Sequence, residues 1–397
     1  MTVRDRDLRI VAAAIAISAI GDWVAMIALS LRANELWKGA GVAVLLICLW
    51  SPLAALAGHV GVLVDRLETR ALAIWAALFQ AVIAGVLAFA DTLPAIYALT
   101  ILLGIGVAVS QAAEFALVPM LAGSREIARA NGLVESMRSI GFLIGPLIAG
   151  AIAASAGTRV ALLADAATFL VIAAVLFALP VRRRVAHLAG AGPRARDGIQ
   201  LLFAERVLAI VLGFGAVTLV FMSASIPGDF AYVSQLGYKD IGIGIVLSVW
   251  AAGMLVASNT IPHRVPLGAL ALVTLLAASL QGLAKFIAPF WTVFPFMVAW
   301  WFVGGLGHGL KNTGFRTLIH ERIHPDRHGR AFAAFNGLRN TAELAALAGG
   351  AVLVATVGGR GTLWIAGGIS ALAAIAGLVA LSARRDQAEA EAAANVS

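Results

Sequence analysis

The apolar positions along this chain follow neither a strand nor a surface-helix period. They run on for about twenty residues, stop at short polar punctuation and resume. A run of that length is what one α-helix needs to cross the hydrocarbon layer of a bilayer. Twelve such runs can be laid out: 10–33, 41–63, 71–91, 95–119, 133–155 and 160–180, then 206–228, 240–261, 267–287, 293–315, 331–356 and 362–382. The only long basic interruption, Arg182-Arg183-Arg184 through Arg194, Arg196 and Asp197, divides them six and six. The pattern predicts an all-α polytopic membrane protein of twelve transmembrane helices in two six-helix bundles. Residues 1–180 form the first bundle, 181–205 a cytoplasmic linker, 206–385 the second bundle and 386–397 a polar cytoplasmic tail.

Composition supports the layout. The chain is 61% hydrophobic and 13% charged, whereas soluble domains run nearer half and a quarter. A soluble globular protein is therefore excluded, and the single cysteine, Cys48, excludes a disulfide-stapled secreted one. The net charge of +8 reads as loop asymmetry rather than nucleic-acid binding, since Lys and Arg collect on cytoplasmic loops. With the N-terminus inside, 19 basic residues fall at inner segments and 6 (Arg32, Lys38, Arg159, Lys239, Lys285, Arg360) at outer ones. Both termini are thus expected in the cytoplasm, at the inner membrane of a cell. Arg4, Arg6 and Arg9 run straight into a full-length apolar segment, so the first helix reads as a retained span.

The two halves share a short repeat. Ser124-Arg-Glu-Ile-Ala-Arg-Ala-Asn-Gly-Leu133 aligns with Gly329-Arg-Ala-Phe-Ala-Ala-Phe-Asn-Gly-Leu338, 205 residues on, at the starts of the fifth and eleventh spans. Parallel six-span repeats are one construction of secondary transporters; chance similarity in Ala-rich sequence is the other reading. Between spans two and three stands Gly61-Val-Leu63-Val-Asp65-Arg66-Leu-Glu-Thr-Arg70. Asp65 can cap a helix and accept from arginine, and Arg66 and Arg70 supply forked donors, which suits a charged latch. A basic loop that only sets topology is the alternative. Span five carries Gly141-Phe-Leu-Ile-Gly145-Pro146-Leu-Ile-Ala149-Gly150. Glycines four apart make a flat face for close helix packing, and Pro146 bends the helix.

On these residues the chain resembles the major facilitator superfamily. The loop is similar to the G-x-L-x-D-R-x-x-x-R/K signature, departing from it at Leu67-Glu68-Thr69. The span-five run resembles the G-x-x-x-G-P-x-x-x-G motif of antiporter members. Gly21-Asp22-Trp23, Ala130-Asn131-Gly132-Leu133, Asp165-Ala-Ala-Thr-Phe169 and Arg327-His-Gly329-Arg330 resemble the enterobactin and macrolide exporter branch. The resemblance implies the major facilitator fold, a gate at Gly61, Asp65, Arg66 and Arg70, and a pivot helix at Gly141, Gly145, Pro146 and Gly150. It also implies a cavity lined by spans one, four, seven and ten, and export in exchange for protons. Span four reads Tyr97-Ala-Leu-Thr-Ile-Leu-Leu-Gly104, without the arginine of drug exporters, so no coupling role carries over there.

Ionisable side chains inside a span cost about 2.5–3.5 kcal/mol each on insertion scales, so each needs a reason. Asp22, near the middle of span one, has only Ser18 one turn back. It is the first candidate for a proton-coupling acid and Glu114 the second, a structural hydrogen bond being the alternative. Gln111, Phe221, Met222, His308 and Lys311 are candidate cavity or substrate residues; an ion pair between Glu114 and Lys311 is equally open. Glu135 with Arg138, and Arg339 with Glu343, stand at helical spacings that let opposite charges meet. They are either further gate residues or self-contained ion pairs. Asp165 reads as structural, paired with Arg159.

Catalytic motifs are absent: no H-E-x-x-H, no cysteine pair, no G-x-x-x-x-G-K-[ST], no G-x-S-x-G. His320, His324 and His328 read as a solvated loop rather than a metal site. The expectation is a monomeric, non-enzymatic secondary transporter with no cofactor and no metal. Its partners are a small amphipathic substrate, drug-like or siderophore-like, together with protons and the lipid bilayer, without nucleic acid. A lipid flippase, an uptake symporter or a non-transporting scaffold on the same fold are the alternatives.

Overall fold

The computed structural model describes residues 3–56, 60, 63, 67–122, 127–178, 195–238, 240–260, 265–324 and 327–394. Gly61, Asp65 and Arg66 of the expected latch lie outside the described residues, as does the side chain of Glu135. The described chain is helical, with no strand. In order come α1 (Val3–Ala55), α2 (Thr69–Leu87), α3 (Leu93–Ala122), α4 (Ile127–Ala178) and α5 (Ala195–Ala204). They are followed by α6 (Arg206–Gln235), α7 (Asp240–Thr260), α8 (Leu270–Ile287), α9 (Phe294–Arg322) and α10 (His328–Ala394).

Three of these are pairs of spans joined by a kink. α1 breaks at Trp37–Lys38, α4 at Gly157 and α10 at Gly358. Counting each pair as two, and leaving aside the ten-residue α5, gives twelve segments among the described residues, where the apolar runs predict them. Eight helices are long and apolar enough to cross a membrane, among the described residues. α9 is not one of them, because His308, Lys311, Asn312 and Arg316 dilute its 29 residues.

The chain divides into two units, Met1–Gly190 with Val233–Ser248 and Ala191–Tyr232 with Val249–Ser397. The first has a core that includes Leu8, Val11, Ile15, Leu72, Ile172 and Leu176. The second has its own, around Leu208, Val211, Leu275, Phe315, Leu318 and Leu381. Large apolar side chains also point outward, Trp75 at 70%, Phe177 at 74% and Leu372 at 67% exposure. A water-facing surface would not carry so many; this is a surface for lipid.

The two halves of the chain share several contacts at a constant spacing, in a register the sequence motif did not reveal. Gly157 (φ 84°) and Gly358 (φ 72°) turn the chain through a conformation open to glycine, 201 residues apart. Two residues after each comes an arginine. Arg159 donates to the carbonyl of Ala88 (3.2 Å) and covers the Phe89 ring; Arg360 donates to that of Pro289 (3.0 Å) and covers Trp364. The same register pairs Gly104 against Leu49 with Gly305 against Trp250, and Gly106 against Gln80 with Gly307 against Gln281. Carbonyls left open at helix ends are thus closed by arginine in both units. Arg32 adds to this in the first, reaching Leu87 and Ala90 at 3.1 and 2.9 Å. Arg70 closes the end of α4, donating to Leu176 (2.7 Å) and Phe177 (2.6 Å).

Candidate functional site

Within the first unit, α1, α2, α3 and α4 leave a cavity of about 270 Å³ between them. Its walls are apolar and aromatic, with Trp23, Trp50, Leu103 and Phe169. Into it are set three carboxylates, Asp22, Glu114 and Asp165, with one guanidinium, Arg138. Arg138 Nη2 donates to Glu114 Oε2 at 2.6 Å, joining α4 to α3. Among the described residues the remaining two carboxylates have no such ion pair. Asp22 is exposed to the cavity, while Asp165 is fully buried and its Oδ2 has no hydrogen-bond partner among the described residues. Thr168 donates to the Asp165 backbone carbonyl at 2.8 Å and reaches Oδ1 only at 3.4 Å. Gln80, 2% exposed, also lines the cavity, and its Oε1 has no partner among the described residues.

Three glycine contacts bring this set together. Asp165 lies so near the Gly21 backbone that a Cβ there would stand 2.7 Å from Oδ1. The span-five glycines press on the same stretch of α1: a Cβ on Gly141 would fall 2.7 Å from that of Ala19, and one on Gly145 2.5 Å from that of Trp23. The Trp23 and Phe142 rings sit 4.5 Å apart beside them. The flat face inferred from sequence therefore holds the helix that carries Asp22. Gly145→Val is expected to displace Trp23, costing about 1–3 kcal/mol by overpacking and most of the transport activity. Gly213→Ala, where a Cβ meets nothing within 4 Å, is the neutral comparison. Thermal unfolding in detergent together with vesicle uptake checks both.

Of the expected site residues, Asp22, Gln111, Glu114 and Arg138 are brought to one cavity. Asp165 joins them, which corrects the sequence reading: its expected partner Arg159 is engaged at Ala88 and Phe89 instead. Glu114 finds its cation within its own unit, at Arg138. In the second unit Arg339 Nε donates to Glu343 at 2.9 Å, as the spacing predicts. His308 lies between Gln281 (3.1 Å) and Asn312 (2.9 Å). A neutral imidazole has one N–H and one lone pair, so one amide meets it with oxygen and the other with nitrogen. Lys311 is fully buried, and its Nζ has no hydrogen-bond partner among the described residues. Met222 is buried and Phe221 half-buried in α6.

A second correction concerns Lys285, counted above among outer loop cations. It is 4% exposed, holds both oxygens of Asp229 at 2.5 Å, and lies over the rings of Trp250 (4.8 Å) and Trp301 (4.7 Å). Asp229 lies one residue beyond the apolar run 206–228, so the sequence does not mark it as a charge inside a span.

Two kinked helical repeats with charged groups in their apolar interiors define a multi-pass membrane protein of the transporter class. Among the described residues no group of three His, Cys, Asp or Glu side chains could hold a metal ion. The profile described as Major Facilitator Superfamily matches residues 11–292 and 263–396, and the chain belongs to that superfamily. Solved structures share the fold at low identity. The nucleoside transporter NupG is 15% identical with a TM-score of 0.70, over 95% of this chain and 99% of that one. A bacterial homologue of the iron transporter ferroportin, in an inward-facing state, is 14% identical with a TM-score of 0.73 over the same shares. The human organic anion transporter MFSD10 is 16% identical with a TM-score of 0.61, covering 94% and 99%. No curated protein matches the chain.

Proposed function

We propose that this transporter exports a small amphipathic molecule across the cytoplasmic membrane in exchange for protons, by alternating access of the two six-helix halves. The observation that carries this reading is the first-unit cavity, with more carboxylates than cations inside an apolar wall. Carboxylates grouped without a compensating cation can take up and give back protons. Asp22 faces the open space and is the coupling acid, with Glu114 second. The direction, outward, rests on the span-five signature, whose glycines bear on the Asp22 segment. Asp65, Arg66 and Arg70 form the inner latch, and Arg70 is anchored at the α4 terminus.

The test uses inside-out proteoliposomes with an imposed acid-inside gradient and a panel of lipophilic drugs and siderophores. Substrate is expected to trigger proton release, and Asp22→Asn is expected to abolish it while leaving the protein monodisperse. Absence of release across the panel from well-folded protein, or full release from Asp22→Asn, overturns the proposal.

A further inference from the structure

The lining of the cavity in the first unit holds three carboxylates, Asp22, Glu114 and Asp165, against one cation, Arg138. Arg138 is committed to Glu114, and the Ser110 hydroxyl is turned to the carbonyl of Val107 at 3.2 Å. Beside the Gln111 amide and the Trp23 and Trp50 indoles, the lining offers acceptors: the Asp22 carboxylate, Asp165 Oδ2 and Gln80 Oε1, the last two buried without partners among the described residues. An unmet buried acceptor is costly, and a carboxylate more so than an amide. A neutral ligand would leave two carboxylates uncompensated, and an anion would add to them. A quaternary ammonium supplies charge without an N–H.

We infer that the cavity is a binding site for a protonated primary or secondary amine. Its N–H groups donate to Asp165, Gln80 and Asp22, and its aromatic or alkyl part packs on Trp23 and Trp50. The indole faces also favour a cation. At about 270 Å³ the space lies just under the roughly 300–1,000 Å³ of ordinary ligand pockets, so the amine is small. As the substrate class of the exporter, this inference rests on the function proposed above; as a binding site it can be tested alone.

The test measures binding by calorimetry to the full chain in lipid nanodiscs, without any gradient. The two probes are 1-naphthylmethylamine, protonated at pH 7, and its N,N,N-trimethyl derivative, which has the same charge and ring but no N–H. The amine is expected to bind at least about tenfold more tightly, the worth of one charge-assisted hydrogen bond. Asp165→Asn is expected to weaken the amine at least about tenfold and to bring the two affinities together. Equal affinities in the unaltered protein, or an unchanged preference in Asp165→Asn, overturn the site. Should that variant not fold, Gln80→Met reads the same preference, and the wild-type comparison needs no variant. Amine binding without amine-triggered proton release sinks the antiport reading and leaves the site. Proton release triggered only by neutral or anionic compounds does the reverse.

Discussion

Lys285→Met is expected to cost about 3–5 kcal/mol of stability, the usual penalty for stripping one partner from a buried ion pair. Both partners are nearly inaccessible, at 4% and 7% side-chain exposure, so solvent does little to soften it. The substitution leaves the Asp229 carboxylate unpaired beside Trp250 and Trp301, and removes two cation–π contacts with them. The first unit shows how the position can be filled without charge. In the 201-residue register, Asp229 and Lys285 correspond to Ala28 and Ala84, both 0% exposed. The double variant Asp229→Ala, Lys285→Ala is therefore expected to be more stable than either single one. Thermal unfolding of detergent-solubilised protein, followed by size exclusion, measures all three. A Lys285→Met midpoint unchanged from wild type would show that the pair contributes nothing.

The twelve spans were legible because the bilayer imposes length, and length survives any ambiguity of period. Even the joints were visible: the gaps at 33–41, 155–160 and 356–362 contain the Trp37–Lys38, Gly157 and Gly358 kinks. The repeat register was less accessible. The Asn-Gly-Leu match places the halves 205 residues apart, whereas the kinks and the Gly104 and Gly305 contacts place them 201 apart. Gly145 and Gly350 reconcile the two. They lie 205 apart and press on Trp23 and Ala224, while Gly145 stands twelve residues before its kink and Gly350 eight. One extra helical turn after Gly145 separates the registers, and no motif marks it.

Asp22, Glu114 and Arg138 could be found because a charge in an apolar run is rare and expensive. Asp165 does not pair with Arg159, for a local reason. Six residues separate it from Arg159, which on a helix turns the two side chains to different faces, so proximity in sequence was no guide to pairing. Asp229 was missed because an apolar run has a soft edge, and one residue decided whether it counted as span or loop.

Arg138→Leu is the second large expected effect. Arg138 and Glu114 retain 24% and 15% of their side-chain exposure, since both open on the cavity, so water offsets part of the loss. About 2–3 kcal/mol is expected, below the value for a fully buried pair. The cavity would then hold three carboxylates and no guanidinium. Glu114→Gln should relieve much of that cost when combined with Arg138→Leu, because it removes the charge that lost its partner. Transport behaves differently. If Arg138 only neutralises Glu114, the double variant recovers substrate-triggered proton release along with stability. If the guanidinium also orders Glu114 for proton exchange, stability returns and proton release does not. The second outcome is expected, because the 2.6 Å contact fixes Glu114 beside the open space that Asp22 shares. Arg138→Lys separates charge from geometry in the same assay: a lysine that restores both quantities would show that a point charge is sufficient there.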